Sequence, residues 1–377
     1  MTGLGSAITR RAAIGLAGAA ALSAAIGPAF AAAPAATRLS ALTRGFALPD
    51  WVDRDEARVP DEAVLDKLHA LGFRAVRLPV DAGQFSDPSQ AVRLAAANRL
   101  SEALRALDRL GFAATVDLHP SATITEAFDH APADAEAAVA LAWQNLADVV
   151  ADFSAENVFP ELLNEPPMWA DRWLPLRDRL AATVRAKCPD HSMIWGACRY
   201  QAIGETLQTP PLADKNAIAA VHYYSPLGFT HQCENWDGSV LGRLKNLPFP
   251  ATRKTVAVAS LTRSLRAAGD QVALAALNDE FAHPWTIAKI DTDFAAIGNW
   301  SRANDCPVLL NEFGVLGFCA DPQSRAIWAR AVRQAAEQNG LAWNYWELDQ
   351  GFGFIKDRQS ADDFDMPIID ALLGRGA

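Results

Sequence analysis

The run Val308-Leu309-Leu310-Asn311-Glu312-Phe313-Gly314 is apolar until it ends on a carboxylate, and Leu162-Leu163-Asn164-Glu165-Pro166 has the same form earlier in the chain. Each reads as a buried strand, too short for a helix, that finishes on Asn-Glu. An unpaired carboxylate closing a buried strand is costly, so both glutamates call for a reason. Working outward, strands are expected from Thr43 to Pro49, Phe73 to Val80, Phe112 to His119, Val158 to Asn164, Ser192 to Ala197, Ile218 to Tyr224, Pro307 to Glu312 and Leu341 to Glu347. Helical patterns separate most of them: Pro60 to Leu71, Ala91 to Leu110, Ala133 to Phe153, Trp173 to Lys187 and Gln323 to Gln338. Gly72, Gly111 and Gly340 are their stop signals. The rhythm breaks after the sixth strand. A stretch of roughly 80 residues follows, long for a plain connection, with a helical patch near Leu261 to Leu277 and a helix before Cys306.

Alternating strands and helices demand a parallel sheet. Eight such units point to an α/β fold of the (β/α)8 TIM-barrel type, one domain with a loop and helical insertion after strand six. An open doubly wound sheet would favour a glycine-rich turn after the first strand, and GxGxxG is missing there. In a barrel, chemistry gathers where strands end at their C-terminal edge.

The composition agrees. The 377 residues are 50% hydrophobic and 21% charged, which excludes disorder as the main state. The net charge of -10 argues against a nucleic-acid face. The 11 tryptophans suit a large core and also flat, apolar ligand faces such as sugar rings. Arg10 and Arg11 precede an apolar run from Ala12 to Ala25 and the segment Gly27-Pro28-Ala29-Phe30-Ala31. This has the order of an export signal, twin-arginine-like or Sec, cleaved after Ala31. Residues 1–31 are therefore expected to be a signal, 32–42 a linker, and 43–377 the barrel. Five cysteines leave at least one unpaired; Cys188 with Cys198 and Cys306 with Cys319 are possible bridges, and the lack of CxxC argues against a metal knuckle.

The expected strand ends carry Arg77, His119, Asn164-Glu165, His222 with Tyr224, Glu312 and Trp346. Six polar or aromatic ends converging on one cleft are hard to explain by solubility. Two carboxylates facing one cleft suit glycosidic bond cleavage: one protonates the departing oxygen, the other attacks the anomeric carbon. A neighbouring arginine, Arg77, would keep the attacking group ionised. HExxH and GxSxG are both absent, which argues against a zinc protease and a serine hydrolase.

With those residues in place, the sequence resembles glycoside hydrolase family five, the cellulase family of (β/α)8 barrels. The resemblance rests on Leu163-Asn164-Glu165-Pro166, Asn311-Glu312-Phe313-Gly314, Val221-His222-Tyr223-Tyr224-Ser225-Pro226 and Trp343-Asn344-Tyr345-Trp346-Glu347. It implies Glu165 as acid/base and Glu312 as nucleophile in a retaining mechanism without metal or organic cofactor. It further implies that Asn164 bonds the sugar 2-hydroxyl, Arg77 and Tyr224 hold Glu312, His222 tunes Glu165, and His119 and Trp346 bind the sugar. Trp236 in the long loop, Trp51 after the first strand and Trp169 after Asn-Glu-Pro are sugar-stacking or loop-packing residues. The expected substrate is a β-linked glucan polysaccharide or oligosaccharide, cut by an exported endo-β-1,4-glucanase. The expected protein is a monomer with no nucleic-acid partner and no membrane association after signal cleavage. An exo-acting glucosidase or transglycosylase, a β-mannanase and a non-catalytic sugar-binding barrel remain the alternatives.

Overall fold

The computed structural model describes residues 35–236 and 238–375; the expected signal, 1–31, lies outside them. Among the described residues eight parallel strands close into a barrel in chain order. They are β1 (Gly45–Ala47), β2 (Ala75–Asp81), β3 (Ala113–His119), β4 (Val158–Glu161), β5 (Met193–Gly196), β6 (Ala217–His222), β7 (Val308–Glu312) and β8 (Ala342–Tyr345). β8 pairs back onto β1 through Asn344 opposite Gly45. Helices fill the connections. Glu62–Leu71 starts where the Asp61 side chain accepts from the Ala63 N–H and stops at Gly72, whose φ of 117° only glycine adopts easily.

Period two along the strands decides what fills the barrel. On β3, Ala114, Val116 and Leu118 join the core between sheet and helices, while Ala113, Thr115, Asp117 and His119 face the axis. The inward residues stack in layers. At the N-terminal floor the layer is apolar, with Ala75, Ala113, Phe159, Ile194, Leu309 and Ala342. Above it lie the buried polar groups Arg77, Asp117, Glu161, Asn311 and Asn344.

The floor is closed by residues expected to be linker. Ala35–Arg38 forms a helical turn and Leu39–Leu42 a 3-10 turn. Ala35, Leu39 and Leu42 pack onto the apolar floor layer, and Arg38 reaches Glu156 at 2.6 Å. From Ala35 on, this segment is part of the barrel domain, because its apolar side chains cover an end of the barrel that would otherwise meet water.

In the insertion between β6 and β7 the expected helical patch is two helices, and the helix expected before Cys306 is present. Gly269, at φ 70°, separates the helices Val256–Ala267 and Gln271–Glu280, and Asp270 caps the second through the Ala273 N–H. The helix Ile287–Asn304 then leads into β7. The cysteine pairing differs from both expected bridges. Cys233 and Cys319 form the disulfide, with Cα atoms 5.9 Å apart, while Cys188, Cys198 and Cys306 are free and buried. The reason is topological: Cys188 precedes β5 and Cys198 follows it, and Cys306 and Cys319 likewise flank β7, so each expected pair sits at opposite ends of a strand. Among the described residues no helix is long and apolar enough to cross a membrane.

Candidate active site

The strand ends meet in a cleft of 1330 Å³ at the C-terminal face. Its floor is a cage around one cation. Arg77, fully buried on β2, donates from Nε to Glu161 Oε2 at 2.9 Å and from Nη2 to Asn164 Oδ1 at 2.8 Å. Its Nη2 also lies 2.8 Å from Asp117 Oδ2, and its Nη1 donates to Glu312 Oε1. Burial opposes the Arg77 charge, but the carboxylates of Asp117, Glu161 and Glu312 outweigh it and hold the guanidinium protonated. Asp117 is pushed up to about 7 by burial, against the pull of Arg77. Glu312 receives a second bond from the Tyr224 hydroxyl, 2.9 Å from Oε2. It therefore faces the cleft with both oxygens held by donors.

Glu165 is placed differently. About a third of its side chain is open to the cleft, yet the surrounding protein dominates its titration: burial pushes the carboxyl up to about 7. His222 Nδ1 lies 2.8 Å from Glu165 Oε1 and 3.4 Å from Glu312 Oε2. Burial also lowers His222 to about 4, so its ring is neutral near pH 7 and does not compete with Glu165 for the proton. Oxygens of Glu165 and Glu312 and the His222 nitrogen all lie within 4.8 Å of one another.

A break in the β6–β7 ladder makes this meeting possible. Val221 pairs with Leu310 but His222 pairs with Glu312, so Asn311 is skipped. Such a bulge re-aims side chains. Here it sets His222 beside Glu312 and leaves Asn311 donating to Glu161 Oε1 at 2.7 Å. On the opposite wall His119 and Trp346 stack, with ring centroids 6.1 Å apart, and both line the cleft. Gly314 is required beneath them, because a Cβ there would meet the Trp346 carbonyl oxygen at 2.1 Å.

A family model for Cellulase (glycosyl hydrolase family 5) matches residues 35–351. The chain belongs to glycosyl hydrolase family 5. Among curated relatives, Endoglucanase 3 of Fibrobacter succinogenes is 24% identical over 228 residues, 59% of this chain and 34% of that protein. The chain thus spans about a third of that relative's length. Among solved structures, the endoglucanase Cel5A of Thermotoga maritima superposes with a TM-score of 0.71 at 22% identity, covering 90% of this chain and 99% of that one. The cellulose synthase subunit Z of Clostridioides difficile gives a TM-score of 0.69 at 22% identity over 88% and 99%. These likenesses speak to the shared barrel.

His119, Asn164, Glu165, His222, Tyr224, Glu312 and Trp346 all line the cleft, with Arg77 buried beneath them. Trp236 also lines the cleft, 55% exposed and in ring contact with His231 and Phe352. Trp51 does not reach it: its side chain is buried in the core, where it packs against apolar neighbours, so the sugar-stacking role expected for it falls away. Trp169 is exposed, with the Arg199 guanidinium 4.1 Å above its ring. Four residues of the site were not singled out from the sequence: Asp117, Glu161, Asn311 and Gln201. Asp117 was within reach by counting back two from His119 on β3, which stays on the inward face of the strand.

Proposed function

We propose that this family-5 chain is an exported, retaining, endo-acting β-1,4-glucanase. One observation carries the reading: two carboxylates with oxygens within 4.8 Å sit in opposite environments, Glu312 bound by Arg77 and Tyr224 and Glu165 pushed up to about 7. That closeness fits the separation of about 5–5.5 Å used for retention, whereas inversion needs about 6.5–9.5 Å to admit a water. In the first step the Glu312 carboxylate attacks the anomeric carbon, the glycosidic bond breaks, and the Glu165 proton passes to the leaving oxygen. In the second, ionised Glu165 takes a proton from water, the water oxygen attacks the anomeric carbon, and the bond to Glu312 breaks. Asn164, fixed by Arg77, would bond the 2-hydroxyl, and Trp346 with His119 would hold the sugar being cleaved.

The glucan preference is supported by the endoglucanase relative and by Thermotoga maritima Cel5A, which was solved with cellobiose. The same enzyme was also solved with mannotriose, which keeps β-mannan as the second reading. Export is supported by the signal-like order of residues 1–31 and by the Cys233–Cys319 disulfide, which suits an oxidising compartment. The test is a panel of β-glucans and β-mannan with product sizing, run on wild type, Glu165→Ala and Glu312→Gln. Mid-chain cuts in β-1,4-glucan, lost in Glu312→Gln, are expected. Full hydrolysis by Glu312→Gln would end the proposal, and release of single sugars from chain ends would replace endo with exo action.

A further inference from the structure

Glu165 sits in a backbone conformation that its residue type seldom takes. Its φ is 42°, in the left-handed region, where side chains crowd the backbone. Something must hold it there, and the structure shows what does. The Glu165 N–H donates to Gln201 Oε1 at 2.7 Å. Gln201 is fully buried and closes a run of three left-handed residues, Arg199, Tyr200 and Gln201, at φ 50°, 66° and 55°. That turn folds the chain leaving β5 back under the Asn-Glu-Pro segment. The backbone carbonyl of Gln201 in turn accepts from the His222 N–H at 3.0 Å. One residue therefore anchors the main chain of both members of the Glu165–His222 pair.

Room for this amide is reserved in β5. A Cβ on Gly196 would come within 2.2 Å of Gln201 Cγ, so glycine at the strand end admits the side chain. We propose that Gln201 is a positioning residue for Glu165, fixing the direction from which its carboxyl reaches the leaving oxygen. This rests on the reading of Glu165 as the acid. A plain structural cap would satisfy some N–H of the loop; here the N–H belongs to the proton donor, and the same residue orients the donor's hydrogen-bond partner.

The consequence is selective. Loss of Gln201 should harm bond cleavage in proportion to the leaving group's need for a proton. The experiment compares kcat/KM for phenyl β-cellobioside, which needs protonation, with that for 2,4-dinitrophenyl β-cellobioside, which does not. Gln201→Met is expected to lose about 10- to 100-fold on the phenyl substrate, part of the 10²–10⁴ a general acid supplies, and under about threefold on the dinitrophenyl one. Gln201→Glu keeps an acceptor oxygen and should restore most of the phenyl activity. If Gln201→Met does not fold, Gly196→Ala, which displaces the amide without removing it, should show the same split. An equal loss on both substrates, or none on either, overturns the proposal. Glu165→Ala runs alongside: if it too fails to separate the two substrates, the assignment of Glu165 as acid falls first, and the proposal with it.

Discussion

In the proposed mechanism Glu165 carries a proton near neutral pH and then gives it up, and its surroundings suit that task. Burial lifts its carboxyl to about 7, while His222 beside it falls to about 4. As the proposed acid it must be protonated in the free enzyme, so the alkaline limb of kcat/KM should fall as pH rises through about 7. A kcat/KM profile flat to pH 9 would contradict this. The same shift acts on stability. A carboxyl raised from 4.5 to about 7 on folding contributes stability that is complete below pH 4.5 and lost as pH rises through about 7. Glu165→Gln, which cannot ionise, should therefore melt above wild type at pH 8 and alongside it at pH 4. Melting curves at the two pH values decide it. Glu165 and Glu312 were legible in the sequence because each ends an apolar run, where a carboxylate stands out. Asp117 lies inside β3 and Glu161 ends β4, and their reason for being there, the guanidinium of Arg77, becomes visible only when β2, β3 and β4 are side by side.

At the scale of elements, most of the barrel was open to reading because each strand is a short apolar run bounded by glycine, proline or a polar end. Five strands came out shorter than expected at their C-terminal ends, while β3 and β7 end where expected and β2 runs one residue further, to Asp81. β4 stops at Glu161, since Asn164 and Glu165 leave the ladder to face the cleft. The insertion was less legible, as a single apolar patch hid the break at Gly269. The disulfide could not be deduced, because pairing depends on which loops lie together at the mouth. It ties the β6 loop, which bears His231 and Trp236, to the β7 loop. That link closes a loop of 86 residues, so replacing both cysteines with serine should cost about 2–4 kcal/mol in chemical denaturation. An unchanged denaturation midpoint would show that the loops hold themselves in place.

Over the whole molecule, stability and chemistry occupy opposite ends of the barrel. The segment Ala35 to Leu42 could not be recognised from its sequence, being short, rich in alanine and without a clear period. Its role appears only once the floor layer exists to receive it. Leu42 is fully buried there, so Leu42→Ala should lower stability by about 2–5 kcal/mol, as deletions of buried leucine side chains do. Because the site lies at the other end, kcat on a soluble glucan should stay at the wild-type value below the melting range. A matching fall in kcat would mean that floor and mouth are coupled. The far end of the described chain comes to the same side: Arg375 bonds the Leu71 carbonyl just ahead of β2, and the Cδ2 of Leu373 lies 4.0 Å from a Cβ built on Gly72. Ala35 and Arg375 thus both emerge beneath the barrel, away from the cleft. A bead, a tag or a neighbouring protein attached at Ala35 or at Arg375 would leave the mouth facing outward, free to meet a polymer too large to diffuse around its anchor.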